Sequence, residues 1–258
     1  MARYLLVQFS DVHLTTDGTL SPGVRPRDNL VAGLALLAEA GISPDVLVLT
    51  GDLADTGDPA CYEDLAGILD AEASARDAAV VCLPGNHDAR DAFRHHLLRQ
   101  DGAAAPINQV HWCRGLRVVA LDSTVPGEDF GALDDETLDF LRATLATPAP
   151  DGTVLALHHP PITTPIEPMA RVRLRQPERL ADAIAGSDVR LVLCGHNHHE
   201  ALGTLGAVPV WVSPASAYRA DVTSREVFRP LPGSAFSRID LDEDGPLVTV
   251  ISVPPPGA

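Results

Sequence analysis

The sequence has no excess of positive charge and no extended apolar run. Its 19 Lys and Arg residues stand against 35 Asp and Glu residues, for a formal net charge of −16. This balance argues against a nucleic-acid polymer or an anionic membrane surface as partner, because both require a basic face. No run approaches the roughly 18 apolar residues of a membrane-spanning helix. An anionic substrate would therefore need local positive charge, which a metal ion could supply.

Paired cysteines are also missing. Cys61, Cys82, Cys113 and Cys194 are scattered without a Cys-x-x-Cys pair, which argues against a zinc–thiolate site or a disulfide framework and predicts reduced core residues. The first residues run directly into an apolar strand, too soon for a signal peptide. These features predict a cytoplasmic protein.

The order of apolar segments predicts an α/β fold. With 258 residues, of which 45% are hydrophobic, residues 1–258 are expected to form one domain without internal repeats. Strands are predicted at 4–9, 45–49, 79–83, 110–112, 116–121, 153–157 and 189–194, and helices at 27–40, 59–75, 91–100, 134–146 and 177–185. This alternation is typical of parallel strands with helices on both faces. Residues 200–254 are β-rich, with strands at 208–212, 235–241 and 247–253, and predict an antiparallel meander added to the sheet.

Five of these strands end in polar side chains that can bind a metal. In chain order they are Asp11 and His13, Asp52 and Asp55, Asn86 and His87, His158, and finally His196 and His198. Each group alone has an ordinary interpretation as a polar strand end, a turn or a helix cap. Asp11 and His13 are two residues apart, so in extended backbone both would face one way.

Taken together, the groups offer oxygen and nitrogen donors without thiolate, which suits Mn, Fe or Zn. If seven of these side chains are ligands, they are too many for one tetrahedral zinc ion. The number fits two ions that share a carboxylate, an arrangement that holds both oxygens of an in-line displacement at phosphorus.

The series resembles the calcineurin-like metallophosphoesterase superfamily. The matching blocks are Asp11-x-His13, Gly51-Asp52-x-x-Asp55, Gly85-Asn86-His87-Asp88, His158-x-Pro160 and Gly195-His196-x-His198. The resemblance implies a four-layer αββα sandwich with two metal ions. One ion would be held by Asp11, His13, Asp52 and His198, and the other by Asp52, Asn86, His158 and His196. A bridging hydroxide would be the nucleophile. His87, oriented by Asp55, would stabilise the phosphoryl charge or protonate the leaving oxygen.

Within that superfamily, three stretches look most like class III cyclic nucleotide phosphodiesterases and their glycerophosphodiesterase relatives. They are residues 9–14, the His-His-Pro-Pro run at 158–161 and residues 213–218. This similarity implies hydrolysis of a 3',5'-cyclic nucleotide such as cAMP. The alternatives are a glycerophosphodiesterase or a broad-specificity phosphomonoesterase and phosphodiesterase. A metal-binding scaffold without catalysis ranks lower because every block is intact, and a nuclease is disfavoured by the charge. Relatives are often dimers, which leaves a homodimer open.

Three alternating arginines lie in a stretch without periodicity. If the backbone there is extended, Arg171, Arg173 and Arg175 would face one way. They could form a rim that attracts phosphate or a solvated edge held by carboxylates. No catalytic role is assigned to them.

Overall fold

Two β-sheets face each other through a layer of apolar side chains. The computed structural model describes residues 3–21, 23–102 and 105–254. Its main strands are β1 (Tyr4–Phe9), β2 (Val46–Thr50), β3 (Ala79–Leu83), β4 (Gln109–Cys113), β5 (Leu116–Leu121), β6 (Thr153–Leu157), β7 (Val189–Cys194), β8 (Ala201–Leu205), β9 (Val208–Val212), β12 (Ser234–Asp242) and β13 (Gly245–Val253). The short strands β10 (Arg219–Ala220) and β11 (Pro230–Leu231) pair with each other.

The helices are α1 (Pro26–Glu39), α2 (Pro59–Arg76), α3 (Arg90–Ala92), α4 (Asp135–Leu145), α5 (Glu167–Arg171) and α6 (Pro177–Ile184). Asp58 caps α2 by accepting a hydrogen bond from the Ala60 backbone N–H. Asp134 caps α4 in the same way, through Thr137. Such side-chain oxygens satisfy amide groups that the first turn of a helix leaves free. The predicted helix at 91–100 is shorter, because a single π-helical turn, Phe93–Leu97, follows α3.

The first sheet has the strand order β13-β12-β1-β2-β3 and the second β4-β5-β6-β7-β9-β8. One apolar cluster lies between the sheets and includes Leu6, Val48, Val118 and Leu193. Two further clusters lie on the outer faces, one beneath α1 and α2 and one beneath α4 and α6. The layers are therefore helix, sheet, sheet and helix, which confirms the fold implied by the resemblance.

The prediction of helices on both faces of one sheet is wrong. Each sheet has helices on its outer face only, because its inner face is buried against the other sheet. The prediction of a C-terminal meander is also wrong. Strands β12 and β13 extend the first sheet beside β1, whereas β9 pairs in parallel with β7 in the second sheet and carries β8 at its edge.

The arginine stretch is not extended as the sequence suggested. Arg171 lies in the short helix α5, the Arg173 guanidinium donates to the Pro161 carbonyl at 3.0 Å, and Arg175 lies over the Phe130 ring. The three side chains therefore have separate partners and do not form a common row. Within the described ranges, no helix combines the length and apolar character needed to cross a membrane.

Candidate metal centre

The carboxyl ends of strands from both sheets meet at one edge of the sandwich, and the predicted metal ligands lie there. Around His198, the Nε2 atom is 3.2 Å from His13 Nε2 and 3.5 Å from Asp11 Oδ1. Asp52 Oδ2 lies 3.8 Å from His13 Nε2. These four side chains form the first donor group.

A second donor group surrounds His158. Its Nε2 atom is 3.2 Å from Asn86 Oδ1, 3.2 Å from His196 Nδ1 and 3.3 Å from Asp52 Oδ2. The same carboxylate oxygen of Asp52 therefore borders both groups. The two groups coincide with the two ligand sets that the sequence resemblance implied, although their role as ligands stays a prediction.

Hydrogen bonds fix the tautomers of three of these histidines. The Nδ1–H of His198 donates to the Tyr218 backbone carbonyl at 3.1 Å, and that of His158 to the Thr50 carbonyl at 2.7 Å. His13 Nδ1 lies 3.1 Å from a carboxylate oxygen of Asp55 and donates to it. In a neutral imidazole with hydrogen on Nδ1, Nε2 carries a lone pair.

Several acceptor atoms therefore point at one another rather than at donors. The lone pairs of His13 Nε2 and His198 Nε2 face each other, and His158 Nε2 faces oxygens of Asn86 and Asp52. His196 Nε2 is buried without a hydrogen-bond partner among the described residues. Facing lone pairs repel unless a proton or a cation lies between them, so this donor set fits metal ions.

The charges of the site agree with this fit. Asp11 and Asp52 are almost fully buried, and the chain contains no lysine. Burial disfavours protonation of His158, but the neighbouring Asp52 carboxylate outweighs burial and raises the pKa of His158 to about 9. For His198, burial dominates and lowers the pKa to about 4. Buried carboxylates are stable only when a positive charge lies beside them, and a bound metal cation would provide that charge without protonation of the histidines.

The backbone at this edge is strained. Asp11, His13, Asp52, His196 and His198 all have positive φ angles, between 50° and 72°. Non-glycine residues rarely occupy this region, and such strain is concentrated at functional sites. The expectation that Asp11 and His13 share a face through extended backbone is wrong. Their side chains lie close together with the backbone of both residues in the left-handed conformation.

Two glycines permit the close approach of these strand ends. Gly51 has a φ of +87°, and a Cβ atom there would lie 2.5 Å from His158 Nδ1. A Cβ atom at Gly85 would overlap the carboxylate and the backbone nitrogen of Asp52. Both positions therefore require glycine for packing, and Gly51 also for its backbone conformation.

Sequence reasoning gave no role to Asp88, which joins the loops after β2 and β3. Its half-buried carboxylate accepts hydrogen bonds from the backbone N–H groups of Leu53, Ala54 and Gly85 and from the Tyr62 hydroxyl. Burial outweighs these bonds and raises the pKa of Asp88 to about 6. Asp88 thus helps to hold Asp52 and Asn86 side by side. The feature of the sequence that could have indicated this role is the position of Asp88 at the end of the matching block 85–88.

The predicted pair of His87 and Asp55 is in contact, but not through the expected atoms. His87 Nδ1 donates to the backbone carbonyl of Asp55 at 2.7 Å, whereas the nearer carboxylate oxygen is 3.7 Å away. The carboxylate instead orients His13. His87 is 42% exposed at its side chain, so it can reach a ligand in the adjacent cavity.

His159 and His199 are buried beside the donor groups. His159 Nδ1 lies 2.8 Å from the Ser123 hydroxyl, and the His159 ring packs against His158 and His196. His199 Nε2 lies 2.7 Å from the Thr164 hydroxyl. His158, rather than His159, lies beside the Asp52 carboxylate. His199 packs behind the site and is not exposed.

A cavity of about 380 Å³ opens over the donor groups. It is lined by Asp52, Asn86, His87, Asp129, Met169, Val172, His196, His198, Tyr218 and Phe228. Sequence reasoning gave no role to five of these lining residues, because they lie in a short helix and in loops without periodicity: Asp129, Met169, Val172, Tyr218 and Phe228.

Comparison with known proteins agrees with this geometry. The sequence profile of the calcineurin-like phosphoesterase family matches residues 4–200. The chain belongs to that family. The class of enzyme inferred from the sequence, a metal-dependent phosphoric ester hydrolase, is thereby confirmed.

Two curated relatives and one solved structure illustrate the match. A probable cyclic nucleotide phosphodiesterase of Rhodococcus erythropolis is 43% identical over 220 residues, covering 85% of this chain and 73% of the relative. A cAMP/cGMP dual specificity phosphodiesterase of Mycobacterium tuberculosis is 41% identical over 221 residues, covering 85% and 70%. A dimetal phosphatase from Danio rerio aligns with a TM-score of 0.65 at 14% identity, over 97% of this chain and 99% of that one. This last likeness concerns the fold alone.

Proposed function

We propose that this calcineurin-like phosphoesterase hydrolyses a small phosphodiester, with a 3',5'-cyclic nucleotide such as cAMP as substrate. One metal ion would be held by Asp11, His13, Asp52 and His198, and a second by Asp52, Asn86, His158 and His196. Metal ions bound there would neutralise charge on the phosphoryl oxygens and lower the pKa of the attacking water. The oxygen and nitrogen donors suit Mn and Fe, with Zn as the other option.

The observation that carries the proposal is the convergence of potential metal-binding nitrogen and oxygen atoms from both sheets. His13, His158 and His198 each donate one ring N–H to a fixed acceptor and present the other nitrogen to the centre. Asp52 borders both groups. A structural role alone would not require five of these ligands to adopt strained backbone.

The protein's own groups then position and stabilise the substrate. The His87 ring borders the cavity, and its Nδ1–H donates to the Asp55 carbonyl. With a second proton on Nε2, His87 can therefore hydrogen-bond a phosphoryl oxygen or protonate the leaving oxygen. Asn86 directs its carbonyl oxygen to the second donor group. Asp55 acts indirectly, by orienting both His13 and His87.

The choice of a cyclic nucleotide is supported by two bacterial relatives that are named cyclic nucleotide phosphodiesterases and are at least 41% identical to this chain. The alternatives are a glycerophosphodiester or a broad range of phosphate esters, hydrolysed at the same centre. A cytoplasmic location, a homodimer and a single domain over residues 1–258 stay predictions.

Metal analysis combined with a substrate panel tests the proposal. The purified protein should bind two Mn ions and hydrolyse cAMP, and Asp52→Asn should abolish both the activity and full metal loading. Asp64→Asn is the matched control, because Asp64 is an exposed carboxylate on α2 that pairs with Arg27. Retention of a single ion, or no turnover of any phosphodiester by metal-loaded wild type, would contradict the proposal.

A further inference from the structure

We infer that the cavity over the metal centre has an apolar part that receives a planar ring of the substrate, and that Phe228 selects for this ring. The inference rests on the proposed function, because it concerns the chemical nature of the group esterified to the phosphate of the proposed substrate. It predicts a preference for monoanionic diesters that carry a nucleobase or another aromatic group.

The lining of the cavity divides into two chemical parts. Asp52, Asn86, His87, His196 and His198 form the polar part at the strand ends. Four of the remaining five lining residues are apolar or aromatic: Met169, Val172, Tyr218 and Phe228. All four are half-buried, so they retain surface for a ligand. We call these four residues the apolar wall.

Three segments supply the apolar wall, and a backbone hydrogen bond joins two of them. Tyr218 directly precedes β10. Met169 lies in α5 and Val172 directly after it, whereas Phe228 lies in the loop between β10 and β11. The Glu167 N–H donates to the Arg225 carbonyl at 2.8 Å. The wall is therefore formed before a ligand binds, which reduces the entropy lost on binding.

Aromatic rings lead from the metal centre to the wall. The Tyr218 ring lies 4.3 Å from the His198 ring, centroid to centroid. The Phe228 ring lies 5.8 Å from His198 and 6.2 Å from Tyr218, nearly perpendicular to both. These spacings are those of interacting aromatic pairs. A phosphodiester whose phosphorus lies at the metal centre thus has its ester group within reach of Phe228.

The charges of the cavity disfavour other ester groups. Asp129 is the one charged lining residue outside the metal centre, no arginine lines the cavity within the described ranges, and the chain has no lysine. A second phosphate would find no cation there and would face a carboxylate. A glycerol group would leave most of its hydroxyls without partners. A planar ring gains stacking and loses little hydration.

Steady-state kinetics of Phe228→Ala on two substrates tests the inference. With Mn bound, we expect the KM for cAMP to rise about 10-fold or more, as for loss of one stacked base. The kcat for cAMP and the kcat/KM for glycerophosphoethanolamine should stay within about 3-fold, since neither depends on the ring. Phe228→Leu keeps the apolar volume without a ring and should lie between Phe228→Ala and wild type.

Val227→Ala is the matched control, because Val227 is 63% exposed and does not line the cavity. Thermal melts of all variants check that they fold. Equal changes on both substrates, or no change on cAMP, would overturn the inference. So would a wild-type enzyme that hydrolyses glycerophosphoethanolamine but not cAMP, which leaves phosphodiester hydrolysis intact. No turnover of either substrate would overturn the proposed function itself.

Discussion

A methyl group added at Gly85 should disable the metal centre without touching a ligand chemically. In Gly85→Ala the new Cβ would lie 2.9 Å from Asp52 Cγ and closer still to its Oδ1 and backbone nitrogen. Contacts below 3.0 Å do not occur for real Cβ atoms. One of the two loops must therefore move.

Asp52 has little freedom to make room. Its Oδ1 accepts the His87 N–H at 2.9 Å, and its backbone carbonyl accepts the His13 N–H at 2.8 Å. A shift that relieves the overlap also displaces the carboxylate that borders both donor groups. Overpacking of this kind costs roughly 1–3 kcal/mol of stability. A misplacement of about 1 Å at a catalytic centre costs about 100-fold in rate.

Three measurements separate these effects. We expect Gly85→Ala to lose about 100-fold or more in kcat/KM on a phosphodiester with Mn, to retain less metal, and to unfold at lower urea. Gly67→Ala is the control, because Gly67 is exposed on α2 and an added Cβ would meet no atom within 4 Å. It should stabilise the helix by about 0.5–1 kcal/mol and leave activity unchanged. A Gly85→Ala enzyme with normal metal content and a rate within about 3-fold of wild type would refute this reasoning.

Three further outcomes are expected. Arg117→Leu removes the buried partner of Asp188, 2.9 Å away, and should lower the free energy of unfolding by about 3–5 kcal/mol in urea titrations; a change below about 1 kcal/mol would contradict a structural ion pair. Burial raises the pKa of Asp45, but the bond from Arg114 outweighs burial and lowers it. This pair therefore stabilises the fold above the unfolded pKa of about 4, and its contribution is lost as pH falls through the lower folded value. Asp45→Asn should cost of the order of 1 kcal/mol or less near neutral pH, because Arg114 is half exposed, and nothing in strong acid. Chelation of the metal should lower the melting temperature, and Mn at about 100 times its dissociation constant should restore about 2.7 kcal/mol.

The strands that carry the site were predictable because they are short and continuously apolar. Residues 189–194 are one such run, followed at once by Gly195 and His196, and the structure ends β7 at Cys194. Pattern alone could not assign strands to sheets. β9 and β12 are both predicted as strands in the C-terminal part, yet one joins the second sheet and the other the first. That choice depends on packing between the sheets, which has no local signal.

The backbone conformation of the candidate ligands was less predictable than their convergence at one edge of the sandwich. Asp11 has a φ of 52°, a conformation that its own sequence does not favour and that neighbouring strands impose. The Asp11 N–H bonds to the Gly51 carbonyl, and its own carbonyl accepts the Ala217 N–H. Phe228 was not predictable at all, because a single aromatic residue in an irregular loop carries no periodicity.

Both donor groups draw ligands from both sheets, so the packing between the sheets sets the geometry of the metal centre. Asp11 and His13 follow β1 in the first sheet, whereas His198 follows β7 in the second. A slip of one residue between the sheets, about 3.3 Å along a strand, would exceed the length of a metal–ligand bond. A hydrogen bond between the sheets opposes this slip. The buried Gln8 amide on β1 donates to the carbonyl of Cys194, at the end of β7, at 2.9 Å. The inter-sheet core is therefore part of the site's precision, although none of its side chains touches the substrate.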